Sequence, residues 1–308
     1  MFKHIAILGA GTMGSGLALL FAANGMPVSL YDPSESALHK ADEAMVSFAE
    51  RHARDWPQAR SRVRLTGVIA EAVQGADLVL EAGPEKLDIK RAIYREITPH
   101  LQEDAIVASN TSSLALSELA DGQPFADRFM IAHFFNPPTL IPLVEIVKLP
   151  ETRSELAAKL TAMLEACGKA PVTLHKDCPG FIANRLQAAV MREACRLLAD
   201  GVADAEQIDR AVKEGPGLRW ALNGPFEIAD FGGLDIWERV TDNLFPTLDN
   251  GATAPQTLRD CVREGKLGVK SGAGFYRYED EAERDKSVEQ RDSRLQRLIQ
   301  IKKELIRP

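Results

Sequence analysis

The stretch "IAHFFNPPTLIPLVEIV", Ile131 to Val147, sets one histidine and one carboxylate among aliphatic and aromatic side chains and prolines. An ionised carboxylate taken out of water is unfavourable by several kcal/mol unless a cation or donors meet it. Glu145 stands between Val144 and Ile146, and His133 is the nearest candidate partner. Imidazole titrates near the working pH, so a histidine held by a fixed carboxylate can take a proton from an alcohol and return it. A lone histidine on an apolar strand is more often a satisfied core residue, and the paired carboxylate is what favours a proton relay here.

A second constellation binds rather than reacts. "GAGTMG" places Gly9, Gly11 and Gly14 in G-x-G-x-x-G spacing between a strand and a helix, with Thr12 and Met13 completing the turn. Such a turn lets the backbone approach a pyrophosphate while helix N–H groups face its charge. Asp32 ends the next strand, about 20 residues on, where a carboxylate accepts from ribose hydroxyls. It would repel a 2′-phosphate, and Pro33 and Ser34 offer no arginine, so the expected cofactor is NAD. "EAGPEKLDIK" adds Glu81, Glu85 and Lys90 beyond a strand's C-terminal end, where open α/β sheets bind ligands.

These residues need a sheet to hold them. "ADLVLEAG" and "AIVASNTSS" are continuous apolar runs closed by small or polar residues, and helical stretches alternate with them, among them Glu35 to Arg54 and Arg153 to Cys167. Alternation of this kind predicts an α/β fold with a doubly wound sheet. From Pro179 the pattern turns helical, with only the short "GFYRY" read as a strand, which predicts a domain over 1–178 and a helical one over 179–308. The charged tail from Glu279 carries Val288, Leu295, Leu298, Ile301 and Leu305 at helical intervals, a solvated helix docked by one stripe, with dimerisation as the sharper reading.

Composition excludes several classes. With 308 residues and a net charge of -7, the chain suits a soluble two-domain protein and lacks the basic stripe a nucleic acid requires. The apolar run Gly14 to Ala23 is too short to span a bilayer, so a cytoplasmic protein without a membrane partner is expected. Four cysteines without C-x-x-C spacing indicate neither zinc nor a disulfide framework.

"GAGTMGSG", "SNTSSL", "HFFNPP…PLVEIV", "KDCPGFIANR", "GPFEIADFGGLD" and "GVKSGAGFY" follow one another in an order that resembles the L-3-hydroxyacyl-CoA dehydrogenase family across nearly the whole chain. The resemblance implies a Rossmann domain with bound NAD and an all-α C-terminal domain that also forms a homodimer. It implies interconversion of an L-3-hydroxyacyl-CoA and its 3-oxo form, a reaction of fatty acid metabolism. His133 would be the general base or acid and Glu145 its orienting partner. Ser112 and Asn184 would bond the oxygen at the reacting carbon. Glu85, Lys90 and Asn110 would lie at the nicotinamide end, and Asn136 would face substrate. From its residues alone, Ser112 also reads as a helix cap in "TSSLALSEL", and Asn184 as an exposed helical side chain.

"HFFNP" and "GPFEIADFGGLD" are closer to the acyl-CoA branch of the family, whereas three features depart from it and open a second reading of the substrate. Between Lys40 and Lys86 there is no lysine for the phosphates of CoA, although Arg51, Arg54, Arg60, Arg62 and Arg64 could substitute. The position before "LVE" is Pro142. "GPGLRWALNGPFE" carries Arg219 and Trp220, as in relatives that oxidise small free hydroxy acids of the gulonate or carnitine type. Arg219 could clamp a substrate carboxylate through two parallel N–H···O bonds, or pair with an acid of its own domain. A dinucleotide-binding protein without catalysis would have no need of the Ser112, His133, Glu145 and Asn184 set.

Overall fold

The computed structural model describes residues 2–51 and 56–306. Two compact units divide the chain, Met1–Ala183 and Asn184–Pro308.

The first unit is built on one eight-stranded sheet: β1 (Ile5–Leu8), β2 (Val28–Tyr31), β3 (Val63–Thr66), β4 (Leu78–Glu81), β5 (Ile106–Ser109), β6 (Phe129–Phe134), β7 (Leu143–Lys148) and β8 (Ala170–Leu174). Their spatial order is β3-β2-β1-β4-β5-β6-β7-β8, parallel throughout except between β6 and β7. Helices α1 (Thr12–Ala23), α2 (Glu35–Arg51), α3 (Trp56–Arg60), α4 (Ile69–Val73), α5 (Leu87–Ile97), α6 (Leu116–Ala120) and α7 (Ser154–Ala166) are its connections. The expected end of α2 at Arg54 lies outside the described residues.

Strand period divides the core in two. Ile5 and Ile7 pack with Leu17 and Phe21 of α1 and Leu160 of α7, whereas the alternate residues Ala6 and Leu8 pack with Val73 of α4 and Tyr94 of α5. Helices therefore cover both faces, as the buried apolar strands require. The chain order reverses direction across the sheet between β1 and β4, which opens the crevice at their C-terminal ends where such sheets take ligands.

The second unit is helical: α8 (Ala183–Ala199, its first residue in the first unit), α9 (Ala205–Glu214), α10 (Pro216–Trp220), α11 (Pro225–Gly232), α12 (Leu234–Leu244), α13 (Gln256–Arg263) and α14 (Glu281–Ile306). "GFYRY" is not a strand. Ala273 makes isolated bridges to Gly268 and Arg277, because no neighbouring strand is at hand to extend the ladder. Tyr276 is instead fixed by its hydroxyl, which donates to Asp209 of α9 at 2.7 Å. No helix of the described residues is long and apolar enough to cross a membrane, and the four cysteines are free.

Candidate active site

The antiparallel register of β6 and β7 pairs His133 directly with Glu145. Opposite residues of such a pair share a face about 5 Å apart, so register alone brings the two side chains together. His133 Nδ1 lies 2.9 Å from Glu145 Oε2, and both side chains are buried. A carboxylate can only accept, so Nδ1 carries a proton, and in the neutral imidazole Nε2 is the nitrogen with the lone pair. Among the described residues Nε2 makes no hydrogen bond.

Glu145 has a second anchor that side-chain reading missed. Its Oε1 accepts from the amides of Ile182 and Ala183 at 2.8 and 2.9 Å. Phe181 adopts a left-handed φ of 53°, rare for an aromatic residue, and the turn it makes after Gly180 aims those two successive amides at one oxygen. Burial acts to raise the pKa of Glu145, but the hydrogen bonds from His133, Ala183 and Ile182 outweigh it and hold the carboxyl below its ordinary value. Phe181 and Phe135 also place their rings 5.2 and 4.5 Å from the imidazole, centroid to centroid, which keeps the pair in apolar surroundings. The motif "PGFIANR" contained the signal, but the groups at work are backbone amides.

The glycine turn fits a dinucleotide. Gly9 has φ of 112°, and a Cβ there would meet the Ala82 carbonyl oxygen at 2.7 Å; a Cβ on Gly14 would lie 1.8 Å from the Gly9 carbonyl oxygen. Those two glycines close the strand onto the helix, whereas Gly11 faces open space with nothing within 4 Å. Thr12 and Met13 open α1 just beyond, and helix N–H groups at such an end have no intrahelical partner. Asp32 Oδ2 accepts from the Ala10 amide at 2.9 Å and Oδ1 from the Ser34 amide at 2.9 Å, which fixes the carboxylate beside the turn.

The remaining candidates fall into distinct places. Asn110 follows β5, and its side-chain oxygen accepts from the Phe134 amide at 2.9 Å, one residue after His133. Asn136 is exposed in the loop after β6. Ser112 is exposed in the turn before α6, and its amide and hydroxyl both donate to Glu85. The turn's internal cap is Thr111, whose hydroxyl oxygen accepts from the Leu114 amide at 3.0 Å. Lys90 is 1% exposed, with its ammonium 2.8 and 2.9 Å from the two oxygens of Glu81 at the end of β4 and 3.5 Å from Glu85. Asn184 and Arg219 belong to the second unit. Asn184 sits in the first turn of α8 and its Oδ1 accepts from Gln187 at 2.6 Å. Arg219 is exposed at the end of α10, and among the described residues no carboxylate pairs with it.

The model of the 3-hydroxyacyl-CoA dehydrogenase NAD binding domain matches residues 4–178, and that of the C-terminal domain of the same family matches residues 180–278. The chain belongs to the 3-hydroxyacyl-CoA dehydrogenase family. Like its relatives it is an NAD-dependent oxidoreductase. It is 37% identical over 292 residues to the mitochondrial hydroxyacyl-coenzyme A dehydrogenase of Sus scrofa, covering 90% of this chain and 92% of the relative. It is 36% identical over 283 residues to the 5-formyl-3-hydroxy-2-methylpyridine 4-carboxylate 5-dehydrogenase of Mesorhizobium japonicum, covering 90% of this chain and 91% of the relative. A solved structure of a dehydrogenase of that pyridine carboxylic acid, described as an NAD+-dependent dismutase, superposes with a TM-score of 0.91 at 33% identity over 98% of this chain and 99% of its own. The (S)-3-hydroxybutyryl-CoA dehydrogenase PaaH1 of Ralstonia eutropha gives 0.73 at 33% identity over 91% and 100%.

Proposed function

We propose that this family member oxidises the hydroxyl of a small substrate bearing its own carboxylate, with His133 as general base and Arg219 as the carboxylate clamp. The observation that carries the chemistry is the His133–Glu145 pair, 2.9 Å apart with Nε2 left open. Gly9, Gly11, Gly14 and Asp32 would hold NAD, which accepts the hydride. His133 Nε2 takes the hydroxyl proton, while Nδ1 keeps its own and donates to the Glu145 carboxylate, which balances the imidazolium that forms. In the reverse direction the same nitrogen returns the proton. Ser112 and Asn184 would bond the reacting oxygen, and Asn110 and Asn136 would line the crevice.

Two observations favour the small acid. Among the described residues Arg219 has no acid partner, and a guanidinium is suited to a carboxylate through two parallel bonds. In addition, three of the arginines that might replace CoA-binding lysines are already engaged: Arg60 with Asp42 at 2.8 Å, Arg62 with the Gln58 carbonyl at 3.0 Å, and Arg64 with Glu71. Arg54 lies outside the described residues. The second reading, an L-3-hydroxyacyl-CoA substrate, is supported by the family models and by the 37% identity to the Sus scrofa enzyme. Residues 1–178 would then serve the cofactor, and 179–308 the substrate and a homodimer contact. The free cysteines support a reducing, cytoplasmic setting.

A steady-state panel separates the two substrates. We expect turnover of hydroxylated carboxylic acids with NAD, and an Arg219→Met variant with KM raised about tenfold to a hundredfold and kcat kept. Turnover of acetoacetyl-CoA with NADH, insensitive to Arg219→Met, would establish the thioester reading in its place.

A further inference from the structure

One oxygen of Glu85 gathers three consecutive residues. Its Oε1 accepts from the hydroxyls of Thr111, Ser112 and Ser113 at 2.6, 3.3 and 2.9 Å, and from the amides of Ser112 and Ser113, each at 2.9 Å. Its Oε2 lies 3.5 Å from Lys90. Burial acts to raise the carboxyl pKa, yet these bonds and the Lys90 charge draw it down to about 2.

Beneath Glu85 the same cation is pinned to the sheet. Glu81 ends β4 and stands in register with Ser109 of β5. Its carboxylate accepts from Lys90, from the Tyr94 and Ser109 hydroxyls at 2.9 and 2.7 Å, and from the Gly83 amide at 2.6 Å. Separating a buried ion pair leaves an uncompensated charge, so the Lys90 ammonium stays at Glu81. A polar chain thus runs from the sheet through Glu81, Lys90 and Glu85 to the turn that carries Ser112.

We propose that Glu85 is a positioning residue for the Thr111–Ser113 turn, anchored through Lys90 to Glu81, and acts on the reaction through Ser112. This rests on the reading that Ser112 meets the reacting oxygen. The clasp fixes the backbone of Ser112 from both sides, and its hydrogen bonds have no apolar substitute at that point. A shift of about 1 Å in a catalytic group can lower turnover about a hundredfold, so holding the turn is a large effect.

The test compares Thr111→Val, Thr111→Ser, Glu85→Gln and Ser112→Ala for kcat and KM on whichever substrate the panel identifies, and for NADH affinity by fluorescence titration. Thr111→Val keeps the shape of a buried side chain and leaves four of the five bonds to Oε1 but also removes the Leu114 cap, so NADH binding and the melting transition are read beside kcat to report the fold. We expect Thr111→Val and Glu85→Gln to lower kcat about tenfold or more, with the NADH Kd changed less than about twofold, and Thr111→Ser to restore kcat. An NADH Kd raised about tenfold in Glu85→Gln would overturn the proposal in favour of a direct cofactor contact. Thr111→Ser as poor as Thr111→Val would also overturn it. If Ser112→Ala keeps full kcat, the reading of Ser112 fails and takes the proposal with it. If Ser112→Ala is impaired while Thr111→Val and Glu85→Gln are not, the proposal alone falls.

Discussion

The two units close their surfaces differently. In the first, all eight strands are paired or covered, both faces of the sheet are packed by helices, and Tyr94, Phe125 and Phe129 are wholly buried in edge-to-face contact. In the second, Cys195 and Ile228 are the buried apolar side chains among the described residues, while Phe226 and Phe231 of α11 are 85% and 81% exposed. A single chain rarely leaves large aromatic rings in water without a use for them. The contrast fits the proposed division of labour: a self-sufficient unit that would fix the proton relay and the cofactor turn, and a helical unit whose exposed rings the proposed homodimer would cover.

The sharpest test of that division acts within the first unit. His133→Ala should lower kcat about a thousandfold or more while NADH binding stays close to that of the parent, and should lower the melting transition because Glu145 Oε2 loses its buried partner. A loss under about tenfold would remove the relay. In the second unit, replacing Phe226 and Phe231 together with glutamate should weaken the dimer about a hundredfold or more, read by sedimentation, and leave the NADH Kd unchanged. A dimer unaffected by the double replacement would break the comparison on its helical side.

The smallest effect is one of acid stability in the first unit. The Glu85 carboxyl has a folded pKa near 2 against an ordinary 4.5, so it contributes stability that is complete above about pH 4.5 and is lost as pH falls toward 2. The full shift corresponds to about 3 kcal/mol, and with the side chain 37% exposed, solvent screening reduces this to about 1 to 2 kcal/mol. Glu85→Gln should therefore be less stable than the parent at pH 7 by that amount, with the two curves converging near pH 2 in denaturant titrations. Parallel curves over that range would contradict it.

The parts of the molecule legible in the sequence are those where pattern and position coincide. The strand, glycine turn and helix around Gly9 to Gly14 could be read because close approach demands glycine, and His133 and Glu145 because a carboxylate in an apolar run demands a partner. Strand β3 has no mark in the sequence because it is an edge strand whose exposed Arg64 interrupts any apolar run. "GFYRY" erred the other way, since β-propensity without a neighbouring strand makes no ladder. In the site, the turn at Phe181 was invisible because a left-handed aromatic has no sequence signature, and the donors it aims are main-chain groups. Lys90 could be placed at the right strand end, but whether its ammonium faces a ligand or Glu81 depends on side-chain direction, which spacing does not determine.

The antiparallel step between β6 and β7 has a bearing on how such an enzyme can diversify. The proton-handling pair is bolted to two neighbouring strands, whereas the intervening segment 135–142 is a replaceable cassette, gripped from below where Lys169 bonds the carbonyls of Pro138 and Ile141 and where Pro138 abuts Gly16. Transplanting that cassette between relatives could retune what the crevice admits without disturbing the hardware that moves the proton.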